Sequence, residues 1–234
     1  MRRFLNKEVD MPKIIYKDSE CAVIIKPVGM PSQPDPSGDP DAMSVTSELL
    51  EAAGEGRELW LVHRLDRAVG GLMVFARTKR AAARLSEAAA DGTLGKSYYA
   101  VTEGRAEGGE MRDLLFKDSK TSKAYVVDRE RKGAKLAVLE YAVLDVKETD
   151  KGARTLVKVH LKTGRFHQIR AQFASRGLSL VGDGKYGGRD KGTRVPALFS
   201  CELSTVLISR GKTVSARPDT SIYPWSLFDE EKYV

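Results

Sequence analysis

Arg154-Thr155-Leu156-Val157-Lys158-Val159-His160-Leu161 runs straight into Lys162-Thr163-Gly164-Arg165-Phe166-His167-Gln168-Ile169-Arg170. In the first half Val157, Val159 and Leu161 alternate with Lys158 and His160, the period of a strand with one buried and one wet face. In the second half Phe166, Ile169 and Phe173 recur at helical spacing, while His167 and Arg170, three apart, project from another side. Thr163-Gly164-Arg165 makes the turn from strand to helix, and Gly177 ends the helix.

Outward from this stretch, strands are expected at 14–16 and 22–25 around a Lys17–Glu20 turn, at 72–76, 97–102, 123–128 and 136–146, and at 197–203 and 212–217. Only two further helices are legible. Asp41 or Ser44 caps one through about Ala53, with Val45, Leu49 and Ala52 on one face and Gly54 ending it. Thr78 caps the other through about Ala90, with Ala81, Leu85 and Ala88 facing in and Asp91-Gly92 stopping it. Few helices among many sequential strands predict an α+β fold built on an extended, mostly antiparallel mixed β-sheet flanked by helices and loops. Residues 27–40, rich in Pro, Gly, Ser and Asp, form a loop that is either a plain connector or a substrate-facing segment.

The chain has 234 residues, 41% hydrophobic and 30% charged, which suits one large folded domain over 1–234. Cys21 and Cys201 lie in apolar stretches without C-x-x-C spacing and are expected as buried thiols, with neither a zinc site nor a disulfide framework. The start, Met1 to Glu8, lacks the apolar core of a secretory signal, and no apolar run reaches membrane-spanning length. A cytoplasmic protein that touches no membrane, binds no metal or other cofactor and acts as a monomer is the expectation. The net charge is +7, and from Lys151 to Arg194 eleven Lys and Arg stand against Asp183 and Asp190, a local +9 that leaves −2 for the rest. That concentration points to a polyanionic partner near the second half of the chain.

One further stretch carries chemistry. His63-Arg64-Leu65-Asp66 and Arg67 place one carboxylate between two arginines, just before Gly70-Gly71 and the apolar run Leu72–Ala76. Alone, Asp66 reads as a turn cap or a surface ion pair sooner than as a functional acid. Composition alone likewise leaves Arg170 on a solvated helix face, and Asp183, between Gly182 and Gly184, as a turn residue.

The two blocks together, His63-Arg64-Leu65-Asp66 with Thr163-Gly164-Arg165-Phe166-His167-Gln168-Ile169-Arg170 and Gly182-Asp183-Gly184-Lys185-Tyr186-Gly187, resemble the RluA-type pseudouridine synthases. Lys26-Pro27-Val28-Gly29 looks like that family's opening segment and Lys96-Ser97-Tyr98-Tyr99-Ala100 like its active-site strand, so the resemblance covers about residues 14–203. It implies the pseudouridine synthase catalytic fold, an isomerase without cofactor, and RNA (ribosomal or transfer) as partner. Residue by residue it implies Asp66 as nucleophile, Arg170 as its orienting partner and Tyr98 as the group that stacks on the target base, with a possible part in removing the C5 proton. An adjacent cation suits such a nucleophile, because it favours the ionised carboxylate and fixes its direction. Stacking is worth roughly 1–3 kcal/mol per base, which offsets much of the cost of extracting a uridine from its stack, about a few kcal/mol.

Further substrate contacts are expected from His63, Arg64, Arg165, His167 and Lys185, with Leu198 as an apolar floor beneath the base. Arg64 fits either a phosphate contact or a prop for the Asp66 loop. Val69-Gly70 and Gln172 depart from many relatives, which carry Thr-Ser and His there, and place target choice rather than activity in question. Motif-like sequence begins near Ile14, so no S4-type RNA-binding domain is expected in front. A non-catalytic RNA-binding or RNA-folding factor on the same scaffold is the alternative. Glycoside hydrolysis is disfavoured because it normally needs two carboxylates, and no second one stands out as a partner for Asp66.

Overall fold

Strands contributed from all along the chain share a single mixed sheet, seen in a computed structural model that describes residues 10–233. The basic start lies outside the described residues. The strands are β1 (Lys13–Lys17), β2 (Cys21–Lys26), β3 (Trp60–Leu61), β4 (Gly70–Ala76), β5 (Gly95–Glu103), β6 (Gly109–Asp118), β7 (Lys123–Val127), β8 (Ala134–Thr149), β9 (Gly152–Leu161), β10 (Leu198–Ser204) and β11 (Val214–Ser215). The helices are α1 (Ala42–Ala52), α2 (Lys79–Asp91) and α3 (Gln168–Ser175). The sheet order is β1-β2-β4-β10-β5-β9-β8-β6-β7, with β3 on β4 and β11 on β10. This is the α+β architecture expected, and β4–β10 is the parallel pairing within it.

That parallel contact brings the first motif beside the strand that carries Tyr98, because β10 lies between β4 and β5. Gly71 faces Ser200 across it with φ +112°, and a Cβ added there would lie 2.3 Å from the Ser200 carbonyl oxygen. Only glycine allows both the backbone angle and the approach.

Alternation in β5 and β9 sends side chains to two different cores. Ile24, Phe75, Tyr98, Val157, Val159 and Leu161 pack on one face with residues of α1 and α3. On the other face Val23, Leu72 and Val74 meet Ala81, Leu85 and Ala88 of α2. Tyr99, Leu156, Phe199 and Cys201 are covered there by Phe228 and Tyr233 near the C-terminus. The face of β9 expected to be wet is therefore partly covered: Leu156 is fully buried, and Lys158 and His160 are half-buried. Both cysteines are buried and free.

The caps follow the sequence. Asp41 accepts from the Ser44 N–H, and Thr78 accepts from the Ala81 N–H, with Gly92 in the left-handed conformation after α2. Two expectations are corrected, and one strand is added. The buried face of α1 is Ala42, Val45, Thr46 and Leu50, leaving Leu49 and Ala52 exposed; both sets have helical spacing, and only the packed sheet chooses between them. Strand β6 was not expected, since five of its ten residues are charged and only Met111 and Leu115 are buried. The strand expected at 212–217 shrinks to the two residues of β11.

Candidate active site

Asp66 stands in the turn between β3 and β4, where its carbonyl accepts the Val69 N–H at 2.9 Å. The turn is stitched to the 27–32 segment. Ser32 Oγ donates to the Leu65 carbonyl at 2.8 Å and accepts the Leu65 N–H at 3.1 Å. Arg67 exchanges bonds with Gly29. Lys26, fully buried, donates to the carbonyls of Pro27 and Met30 at 2.8 Å each and of Arg67 at 3.4 Å. Burial pushes its ammonium down to about 7, against the pull of the Asp66 charge. The loop over 27–40 thus begins as the buttress of the Asp66 turn.

From the opposite side α3 delivers Arg170. Its Nη1 donates to Asp66 Oδ2 at 3.2 Å, while Nε and Nη2 grip both oxygens of Asp183 at 2.7 Å. Arg170 and Asp183 are 6% and 1% exposed, so neither the solvated helix face nor the plain turn describes them. Asp183 is the second carboxylate that was not expected. It partners Asp66 only indirectly, by fixing the guanidinium that Asp66 touches. Thirteen residues separate Arg170 from Asp183, no helical or strand period links them, and the residues offer no local signal for the pairing.

His167 precedes α3 in a left-handed conformation, φ 51°. It is stacked on Phe166 with ring centroids 3.9 Å apart. Its Nε2 lies 3.3 Å from Asp66 Oδ2 and its Nδ1 2.9 Å from the Tyr186 hydroxyl. That hydroxyl already accepts the Ala124 N–H at 2.7 Å, so its proton goes to Nδ1. The proton of the neutral ring is then assigned to Nε2, 3.3 Å from Asp66 Oδ2. Burial first, then the Arg170 charge, hold the imidazole neutral by pushing it down to about 3.

Arg170 Nη1 therefore donates to Oδ2 and His167 Nε2 lies 3.3 Å from it, while Oδ1 has no hydrogen bond with any described residue. Burial raises the Asp66 carboxyl above its ordinary value; the Arg170 charge and hydrogen bond oppose the shift and the Asp183 charge adds to it. One oxygen faces Arg170 and His167, and the other has no hydrogen-bond partner among the described residues.

Asp66 lines a cleft of about 740 Å³ together with Arg64, Lys96, Tyr98, Arg165 and His167. Beside it, Tyr98, Leu198 and Ile169 border a smaller hollow next to Asp66 and Arg170. Arg64 is exposed in the cleft and bonded to no described side chain or backbone group. Arg165 is exposed and donates from Nε to the Leu136 carbonyl at 2.8 Å. His63 is anchored, accepting the Val74 N–H on Nε2 at 3.2 Å, and burial pushes it down to about 3. Lys185 is half-buried near His167 and outside both cavities. Burial, then the Asp66 charge, raise the Tyr98 phenol, so it is a neutral group and a poor base.

The basic window does not survive folding as such. Lys151, Arg154, Lys158, Lys162, Arg170 and Arg176 pair with carboxylates. The cleft draws its cations from several segments, Arg64, Arg67, Lys96 and Lys117 with Arg165 from that window, against Asp35 and Asp66. No group of three or more His, Cys, Asp or Glu among the described residues is arranged to hold a metal ion.

A family model described as RNA pseudouridylate synthase matches residues 20–175. A ribosomal large subunit pseudouridine synthase C of Rickettsia conorii is 32% identical over 188 residues, covering 80% of this chain and 60% of the relative. An uncharacterized RNA pseudouridine synthase of Zymomonas mobilis is 35% identical over 180 residues, covering 75% of this chain and 78% of the relative. The chain spans about 60% of the length of the first curated relatives it matches. Among solved structures, human RNA pseudouridylate synthase domain containing 4 superposes with a TM-score of 0.72 at 23% identity, over 88% of this chain and 89% of that one. This last likeness concerns the fold.

Proposed function

The chain belongs to the RNA pseudouridylate synthase family, and from that premise we propose that it isomerises uridine to pseudouridine within RNA, with Asp66 as the nucleophile. The observation that carries the reading is the asymmetry of Asp66: Oδ2 is held by Arg170 and His167 while Oδ1 is unpartnered beside Tyr98.

In this reading a flipped uridine stacks on Tyr98, above Leu198, and Oδ1 attacks C1′ as the C1′–N1 bond breaks. The base carries away the electron pair, turns within the hollow, and C5 then attacks C1′ as the bond to Oδ1 breaks. The C5 proton is lost and N1 takes one up, so the sum is an isomerisation with no oxidation or reduction. Arg170 and the Nε2–H of His167 stabilise the carboxylate that departs in the second step. Because the phenol of Tyr98 is strongly held neutral, it supports the base rather than removing its proton.

The name of the Rickettsia relative supports ribosomal RNA as the substrate. Incubation of the protein with unmodified ribosomal and transfer RNA, followed by pseudouridine mapping, tests both choices. New sites absent with Asp66→Asn are the expected result. Binding without modification would instead favour the alternative, an RNA-folding factor.

A further inference from the structure

Four cationic side chains are buried among the described residues: Lys26, Lys96, Arg154 and Arg170. Three have acceptors. Lys26 is saturated by carbonyls, Arg154 pairs with Asp190, and Arg170 pairs with Asp183 and Asp66. Lys96, 7% exposed, makes no hydrogen bond or ion pair with any described residue. Its ammonium borders the cleft next to Gly164, where an added Cβ would stand 3.6 Å from Nζ.

The Lys96 stem is buried while its ammonium opens on the cleft with no protein acceptor, so only solvent or a ligand in the cleft compensates its partial desolvation. Burial alone accounts for the lowering of its pKa, with no carboxylate opposing it, and its charge also helps to keep His63 neutral. The fold therefore carries a cation whose partner is not in the chain.

We propose that Lys96 is a receptor for an RNA phosphodiester, the one flanking the uridine that stacks on Tyr98. The inference rests on the reading of the cleft as an RNA uridine site. Lys96 and Tyr98 are alternate residues of β5 and share a face of it, which separates their Cα atoms by about 7 Å. That is comparable with the span from a base to its own backbone phosphate. A phosphodiester supplies the anionic acceptor the ammonium lacks, and Gly164, without a side chain, leaves the approach open. Lys96 and Asp66 then act on different parts of one nucleotide.

The test uses the whole protein and a single-stranded RNA dodecamer with one uridine. Without RNA, Lys96→Met is expected to melt at or above the wild-type temperature, since it removes a partly desolvated charge that has no protein partner. It is expected to bind the dodecamer roughly ten- to a hundredfold more weakly, and to lose about 0.7 from the slope of log K against log[KCl]. Lys96→Arg should retain most of the affinity. A methylphosphonate at the linkage flanking the uridine should weaken wild type strongly and Lys96→Met little. Unchanged affinity and slope in Lys96→Met, or a clearly lower melting temperature without RNA, would overturn the proposal. Inorganic phosphate protecting wild type as well as the dodecamer does would overturn the assignment to a phosphodiester. The reading beneath it fails separately, if wild type binds RNA through Lys96 yet makes no pseudouridine in any RNA. With turnover established, an unchanged KM in Lys96→Met sinks the inference alone.

Discussion

Arg170 holds two carboxylates unequally: both oxygens of Asp183 at 2.7 Å through a two-pronged grip, and one oxygen of Asp66 at 3.2 Å through the remaining nitrogen. The guanidinium is thus anchored by Asp183 and presented to Asp66, the proposed nucleophile. Asp183→Ala should release that anchor and leave a buried cation underpaired. Urea unfolding is expected to show a loss of about 3–5 kcal/mol, with turnover reduced even under conditions where the variant is folded. Asp183→Asn, which keeps an acceptor in place, should lose less on both counts. Equal stability of Asp183→Ala and wild type would refute the anchoring role.

Asp66→Asn separates activity from stability. Burial raises this carboxyl in the folded state, so its ionisation costs the fold. That cost is complete above the raised value, shrinks as pH falls through it, and is gone below the ordinary carboxyl value. The variant is expected to melt higher than wild type at pH 7–8, by a margin that narrows toward pH 4, while turnover falls by at least about 10³-fold. In wild type the acid limb of kcat/KM should lie above 3.8, the ordinary value of the group.

His167 is expected not to titrate between pH 5 and 8, because burial and Arg170 hold it down to about 3. Nitrogen NMR of labelled histidine should report a neutral ring protonated on Nε2. Tyr186→Phe removes the hydroxyl that sets this tautomer and leaves the Ala124 N–H without its acceptor, at about 1–3 kcal/mol. A mixed tautomer and a several-fold lower kcat are the expected outcomes; an unaltered Nε2–H signal would count against the relay from Tyr186 to Asp66.

Gly71→Ala tests the parallel seam. The new Cβ would meet the Ser200 backbone at 2.3 Å in a conformation of φ +112°, so β4 and β10 must separate. A loss of about 2–4 kcal/mol is expected, with the Asp66 turn disturbed because it leads directly into β4. Gly109→Ala provides the contrast: its added Cβ meets nothing within 4 Å, although φ is +130°. It therefore isolates the backbone term, and the difference between the two variants measures the clash.

Much of this was legible in the chain. Helix caps at Asp41 and Thr78 and the strands with alternating apolar residues carry their signal locally, in side chains that bond or pack within a few positions. β6 was illegible because its charges mask the alternation and it draws its register from β8 and β7. The inward face of α1 was misjudged because two sets of residues have helical spacing and only the sheet distinguishes them.

At the site, the sequence by itself determined which groups are available: Asp66 in a constrained turn, Arg170 and His167 at the start of a helix, Tyr98 on a central strand. Tertiary structure alone decided their states. It joined Arg170 to Asp183 across thirteen positions, placed His167 Nε2 3.3 Å from Asp66 Oδ2, and paired off six of the eleven cations in the basic window. It left the Lys96 ammonium at the cleft with no partner among the described residues. The physical reason is that propensity and periodicity act over neighbouring residues, whereas desolvation and charge pairing depend on distances that exist only once the sheet has brought remote segments together.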